Sequence, residues 1–384
     1  MSNQVNQAIK DVFNELAHTL ESGQVGPSIK IGLTINGSEL GFDVMREAAA
    51  LAKAEGLFDV VLIGEKLDWT DDYEHYEANG EKEVEETLDR LLTDGTIGGA
   101  VTLHHTFPIG VSTVGRVITP AKGKQVFIAT TTGTTATVRA EAMVLNTING
   151  IAVAKASGIE NPTVGIVNVD GANTVERALR QLIDKGYEIT FGESARSDGG
   201  VVLRGNDLLL GSADVMVCDS LTGNLFMKLF GSYTSGGTYE TTGFGYGPGV
   251  GEGYEHIVNI VSRASGAPVI ANALKYAYQM AKGKLADKSK AEYAAANKAG
   301  LKDVREGLQP KAAAVEEEVK APAKEVVTAS LSGIDVLDLE DAVKALWKAG
   351  IYAESGMGCS GPIVMISEAN ADKAAEVVKE AGFM

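Results

Sequence analysis

Short apolar runs alternate along most of the chain with longer stretches in which apolar residues recur every three or four positions. A short apolar run bounded by Gly, Asp or Asn marks a buried strand, and the three-to-four spacing marks a helix with one buried face. On this basis strands are expected over 29–35, 58–64, 99–103, 125–133, 163–169, 187–193 and 214–218. Helices are expected between them, over 42–56, 83–92, 136–157 and 175–186, and again over 268–281. Strand and helix in alternation predict an α/β fold with a doubly wound, mostly parallel sheet, a single domain over residues 28–281. Ahead of it, Val5, Ile9, Val12, Phe13, Leu16 and Leu20 outline an N-terminal amphipathic helix within residues 1–27, suited to docking or oligomerisation.

The pattern changes after Ala281. Residues 282–330 hold twelve Ala with many Lys and Glu, and no Phe, Trp or Ile. Such a stretch is expected to form a solvated helix or a tether and not a core. Globular patterning returns over 331–384. There a strand is expected at 334–339, then a helix with Leu339, Val343, Leu346 and Trp347 on one face, strands at 351–355 and 363–367, and a closing helix. This is a small βαββα unit of about 55 residues on a tether, a size that folds alone only marginally.

Charge and cysteine content then narrow the function classes. A formal net charge of −17 disfavours nonspecific attraction to nucleic acid or to an anionic membrane. Two cysteines in 384 residues give no disulfide framework. The start of the chain lacks an apolar signal core, and no apolar run approaches the roughly 20 residues of a membrane span, so a cytoplasmic location is expected. The glycine-rich stretch 231–253 holds neither GxGxxG after a strand nor GxxxxGK[ST]. It reads as a long mobile loop, suited equally to a lid or to a passive connection. The histidine pair 104–105 has no metal-type spacing. No metal and no organic cofactor is expected.

The sharpest candidate for chemistry is Cys359, in Gly356-Met357-Gly358-Cys359-Ser360-Gly361-Pro362. Glycines here permit a tight turn whose N–H groups, from Gly358, Ser360 and Gly361, can face a sulfur or an oxyanion. No Lys, Arg or His lies between Lys348 and Lys373, so a cation or base for the thiol must come from another segment or subunit. Cys218 ends an apolar run and reads as a packed strand-end residue. The next segment, Asp219 to Lys228 with Thr222, Gly223 and Asn224, runs from a strand end into a helix, a place suited to a phosphate or a thioester carbonyl. Ser262, Arg263 and Ser265 precede another helix, where Arg offers a fork for phosphate oxygens. His104 and His105 come directly after a strand end and are candidates for a donor or base.

The segment ADVMVCDSLTGNLFMK closely resembles the strand-to-helix motif of the PlsX-type phosphate acyltransferases, which are related to phosphate acetyltransferases. GGVVLRGNDLLLGS before it and VSRASGAPVIANALKYA after it resemble the same family, over roughly residues 30–281. A narrower resemblance, through IKIGLTINGSELG, AVTLHHTFPIG, ATTTGTTATVRAEA and AESGMGCSGPIVMIS, is to the alpha subunits of component C of glycine, sarcosine and betaine reductase complexes of anaerobic amino-acid fermenters.

That resemblance implies that Cys359 becomes acetylated and that inorganic phosphate, as substrate, releases acetyl phosphate. It also implies a ketoacyl-synthase-like beta subunit as partner, a selenoprotein donor carrying a carboxymethyl group (component A), and an oligomeric assembly. Two rival expectations stay open: a free-standing phosphate acyltransferase acting on acyl carrier protein or coenzyme A, and a non-catalytic scaffold for the partner.

Overall fold

The apolar runs pair into a 12-stranded sheet in a computed structural model that describes residues 28–197, 199–309, 319–335, 338–358 and 361–384. Its strands are β1 (Lys30–Thr34), β2 (Asp59–Gly64), β3 (Glu74–Glu77), β4 (Gly99–Thr102), β5 (Val111–Ile118), β6 (Gln125–Thr134), β7 (Thr163–Val167), β8 (Thr190–Phe191), β9 (Val202–Leu203), β10 (Val215–Val217), β11 (Gly247–Gly251) and β12 (Val258–Ile260). They lie in the order β3-β2-β1-β4-β12-β11-β5-β6-β10-β7-β8, with β9 also on β7. The expected N-terminal helix at residues 1–27 lies outside the described residues.

The sheet is mostly parallel, as the alternation of strand and helix predicts, but it reverses in the middle. β12 to β11, β11 to β5 and β5 to β6 are antiparallel pairs. After three reversals β6, β10, β7, β8 and β9 run opposite to β3, β2, β1, β4 and β12. The carboxyl ends of the two parallel sets therefore face opposite rims. The forward rim lies beyond β1, β4 and β12, and the reverse rim beyond β6, β10 and β7.

Helices α1 (Phe42–Ala54), α2 (Gly80–Thr93), α3 (Arg139–Ala156), α4 (Ala172–Asp184), α5 (Gly205–Leu210), α6 (Ser220–Ser232) and α7 (Ala267–Lys282) cover the sheet. The glycine-rich stretch is not a lid over its whole length. Its second half contains β11, a wholly buried strand in the middle of the sheet. Glycine is required there by close approach: a Cβ at Gly249 would meet the Phe107 ring at 2.4 Å, and one at Gly247 would meet the Val114 carbonyl oxygen at 1.9 Å.

The tether expected from residue 282 also begins later. Helices α8 (Leu285–Lys298) and α9 (Leu301–Gly307) bury Leu285, Tyr293, Ala296, Leu301 and Val304 in the main core. Tyr293 donates its hydroxyl hydrogen bond to Asn149 Oδ1 of α3 at 2.8 Å. Glu292 accepts from Lys155 at 2.5 Å and from the Tyr187 hydroxyl at 2.9 Å. An Ala-rich helix supplies little apolar bulk, yet its face packs closely because alanine loses no side-chain entropy and carries no polar group to bury. α8 explains why α3 is buried on nearly all sides.

The small unit is β13 (Ala329–Ser332), α10 (Leu339–Lys348), β14 (Ala353–Gly358), β15 (Gly361–Ile366) and α11 (Ala371–Glu380), with an antiparallel sheet in the order β13-β15-β14. The expected βαββα order holds, but the first strand lies at 329–332 and not at 334–339. Ile334 is instead buried beneath the start of α10, in a separate core with Leu346, Val364, Ile366 and Val378. The two units touch at Arg177 of α4, whose guanidinium donates to Asp338 Oδ2 at 3.0 Å and to the Phe383 carbonyl at 2.9 Å.

Candidate functional site

At the reverse rim, β10 runs into Cys218 and α6. Cys218 is fully buried, and burial pushes its thiol pKa far up. Its Sγ lies 3.6 Å from the Thr130 carbonyl, so it is a packed residue, as expected from its apolar setting. Asp219 caps α6: its carboxylate accepts from the N–H groups of Leu221 and Thr222, both at 3.1 Å, and from the Thr222 hydroxyl at 2.7 Å. Gly223 lies so near β6 that a Cβ would fall 1.7 Å from the Thr130 carbonyl oxygen. Asn224 donates to the Thr131 carbonyl at 3.3 Å. The side chains of Asp219, Thr222 and Asn224 thus spend these hydrogen bonds on joining α6 to itself and to β6.

Two turns further on, α6 reaches the forward side. Lys228 Nζ lies 2.8 Å from Glu240 and 3.0 Å from the Ser262 hydroxyl. Glu240 is buried and also accepts from Ser265 at 2.7 Å and from Tyr246 at 3.2 Å. Burial alone would lower the Lys228 pKa, but hydrogen bonding and attraction from Glu240 outweigh it and hold the ammonium above its ordinary value. Lys228, Ser262 and Ser265 therefore meet around one carboxylate, and Glu240 is the residue the sequence pattern did not single out. It sits in the glycine-rich stretch, where nothing in the local pattern marks a buried acid.

Arg263 points elsewhere. Its guanidinium pairs with Glu81 at 3.1 Å, and with His104, Asn36 and Thr34 it borders a cavity of about 120 Å³ at the forward rim. His105 is turned inward against the Phe107 ring, with Nδ1 buried and unpartnered, and burial lowers its imidazole pKa. The candidate residues thus fall into separate groups, because the sheet reversal sends the two sets of strand ends to opposite rims.

The hairpin of the small unit meets the reverse rim. β14 and β15 pair through Met357 with Pro362 and Gly358 with Gly361. Cys359 and Ser360 lie outside the described residues. Pro362 borders a cavity of about 540 Å³ with Gly171, Asn173, Arg180 and Arg204 of the large unit and Asp335 of the small one. Gly171 begins α4 with no side-chain cap, and the Ala172 N–H is taken by the Val169 carbonyl at 3.0 Å, so only the positive end of the helix faces this space. Arg180 is held by Glu176 at 2.7 Å. On sequence alone Arg177 and Arg180 look like the solvated face of a helix.

Residues 29–365 match the family profile described as "Fatty acid synthesis protein". A protein of Peptoclostridium acidaminophilum, "Glycine/sarcosine/betaine reductase complex component C subunit alpha", is 55% identical over 383 residues, 99% of each chain. The chain belongs to this PlsX-like family of component C alpha subunits. Its more distant relatives include the "Phosphate acyltransferase" of Thermotoga petrophila, 30% identical over 156 residues, which are 36% of this chain and 44% of that one. Among solved structures, a branched-chain phosphotransacylase from Enterococcus faecalis V583 matches 66% of this chain and 99% of its own at 17% identity, with a TM-score of 0.48. Family membership supports acyltransferase chemistry and a place among the subunits of a larger complex. Among the described residues no group of His, Cys, Asp and Glu has the arrangement of a metal site, and no helix is long and apolar enough to cross a membrane.

Proposed function

We propose that this chain carries an acetyl group as a thioester on Cys359 and transfers it to inorganic phosphate, releasing acetyl phosphate within a cytoplasmic glycine, sarcosine or betaine reductase complex. The observation that carries the reading is where the hairpin sits. Its strands bracket positions 359 and 360, and its Pro362 shares a cavity with Arg180, Arg204 and the start of α4.

In the reaction, a phosphate oxygen attacks the thioester carbonyl carbon and the carbonyl pair moves onto oxygen. When the carbonyl re-forms, the C–S bond breaks and Cys359 leaves as thiolate, with the phosphate proton passing to it or to solvent. Phosphate is already nucleophilic near neutral pH, so orientation and oxyanion donors matter more than a strong base. Arg180 and Arg204 suit phosphate oxygens, and the α4 amides add the positive end of a helix. The amides of Gly358, Ser360 and Gly361 are the proposed oxyanion donors. A second place for phosphate is the Asp219–Lys228 face with Ser262 and Ser265. The inter-unit cavity is preferred because the hairpin that brackets Cys359 borders it through Pro362.

Loading of Cys359 is assigned to a ketoacyl-synthase-like beta subunit, fed by a selenoprotein that carries the carboxymethyl group. The test is Cys359→Ser in the reconstituted complex. Phosphate- or arsenate-dependent acetyl release should vanish, and mass spectrometry should find an acetyl adduct on Cys359 of the parent chain only. Turnover retained by the variant would point to the free-standing acyltransferase, and absence of any adduct in an active complex would leave the scaffold reading.

A further inference from the structure

The small unit is acidic, and so is the large unit it touches. Residues 331–384 hold nine Asp and Glu against four Lys and no Arg, and residues 28–309 also carry more acid than base. Two such bodies repel at long range, so the contact that seats one on the other has to be local and directional. A tether alone raises the concentration of the hairpin near the large unit to about the millimolar range, but it sets neither angle nor distance.

Arg177 of α4 supplies both qualities. One guanidinium nitrogen donates to the Phe383 carbonyl at 2.9 Å, and the other donates to Asp338 Oδ2 at 3.0 Å and to the Thr174 hydroxyl at 3.1 Å. Thr174 steadies the group from its own helix. Asp338 immediately precedes α10 and Phe383 follows the end of α11, so one planar fork reaches the ends of both helices of the small unit. A fork that donates in two directions fixes rotation as well as position, which a lysine ammonium does not. The side chains of Arg177 and Asp338 are 27% and 32% exposed, so solvent screens the pair only in part. Arg177 stands one turn from Arg180, which borders the inter-unit cavity, but it does not border that cavity itself.

We infer that Arg177 is a positioning residue for phosphorolysis, setting the docked pose in which the thioester on Cys359 meets phosphate. The inference rests on the function proposed above. Reacting atoms have to come within about 3 to 3.5 Å of each other in the right alignment, and a unit that rocks on its tether meets that condition for a small part of the time. The small unit reaches the cavity through Ser332, Gly333, Asp335 and Pro362. Arg177 holds it at a separate place, the ends of α10 and α11, and so blocks rotation about the hairpin. Loss of Arg177 lowers the fraction of thioester that is docked and leaves Arg180 and Arg204 as they are.

The test loads the reconstituted complex without phosphate, then adds phosphate and follows the acetyl adduct on Cys359 by mass spectrometry. Arg177→Gln should acquire the adduct to the same extent as the parent chain. At saturating phosphate it should lose the adduct about tenfold more slowly, with the half-saturating phosphate concentration unchanged. Asp338→Asn should show the same split more weakly, and the double variant should be no slower than Arg177→Gln alone. Loss of the adduct from Arg177→Gln at the parent rate overturns the inference. A raised half-saturating phosphate concentration with the maximal rate unchanged overturns it too, since Arg177 would then be a phosphate ligand. If only the variants fail to load, Arg177 serves loading and the inference falls alone. If the parent chain acquires no adduct, the proposed function falls and takes this inference with it.

Discussion

In the large unit the backbone of α6 lies against β6 closely enough to exclude any side chain at Gly223, whereas in the small unit two helices meet a three-stranded sheet through ordinary apolar side chains. The large unit also fixes its interior with buried polar contacts. Asn149 of α3 donates to Ser112 and to the Val250 carbonyl, and Asn146 donates to the Cys218 carbonyl. Such contacts demand one geometry, because a buried polar group left without its partner costs more than the hydrogen bond contributes. The small unit has a modest apolar core and borrows contacts from α4. The difference makes the large unit the more tightly specified of the two.

Four substitutions test that contrast. The largest effect is expected from Gly223→Ala, whose methyl group must displace the β6 backbone. A loss of about 4 kcal/mol, read as a shift in the urea midpoint of the large unit, is expected where backbone collides with backbone. Next, Leu346→Ala should cost about 3 kcal/mol and unfold the small unit alone, seen as fast amide exchange in β14, β15 and α10 with the large unit still protected. A single transition for both units would break the contrast. Arg177→Ala should weaken the contact between units by about 1 to 2 kcal/mol. Faster exchange of α10 and of the residues near Phe383, with the large unit's midpoint unchanged, would be the sign.

The smallest effect concerns acid. Burial pushes the Asp214 carboxyl pKa up, but the Thr163 N–H and hydroxyl and the Lys124 ammonium pull it, on balance, below its ordinary 3.8. A carboxylate with a lowered folded-state pKa contributes stability that is full above the unfolded value and is lost as pH falls through the folded one. Below about pH 4 the parent large unit should therefore lose stability more steeply than Asp214→Asn. Equal slopes would mean that this contact does not tie the start of β7 to β10 in solution.

Much of the frame was legible because its parallel strands are short apolar runs. The reversal was not. β5 reads Val-Ser-Thr-Val-Gly-Arg-Val-Ile, and Arg116 within it is buried over the Phe244 and Tyr276 rings, an arrangement no hydrophobic pattern announces. β11 is written in glycine for the sake of its neighbours' bulk, and glycine reads as loop. β3, with two Glu in four residues, reads as surface. Without β5 and β11 the strand ends would share one rim, and the histidines, Ser262 and Asp219 would share one crevice. The role of Lys228 is different: its charge was visible, but its acid, Glu240, lies twelve residues away across a turn of glycines.

The late start of the tether also sets a distance. Leu308 packs against the main core and Ala329 opens the small sheet, so twenty residues, 309–328, connect them. Twenty residues span at most about 70 Å even when drawn out straight, and much less on average. That length is the outer limit on how far the start of the small sheet can lie from the end of α9. On the proposed carrier role, an enzyme that charges the hairpin would have to present its own reactive centre within that limit, so the geometry of assembly would govern which donors count as substrates.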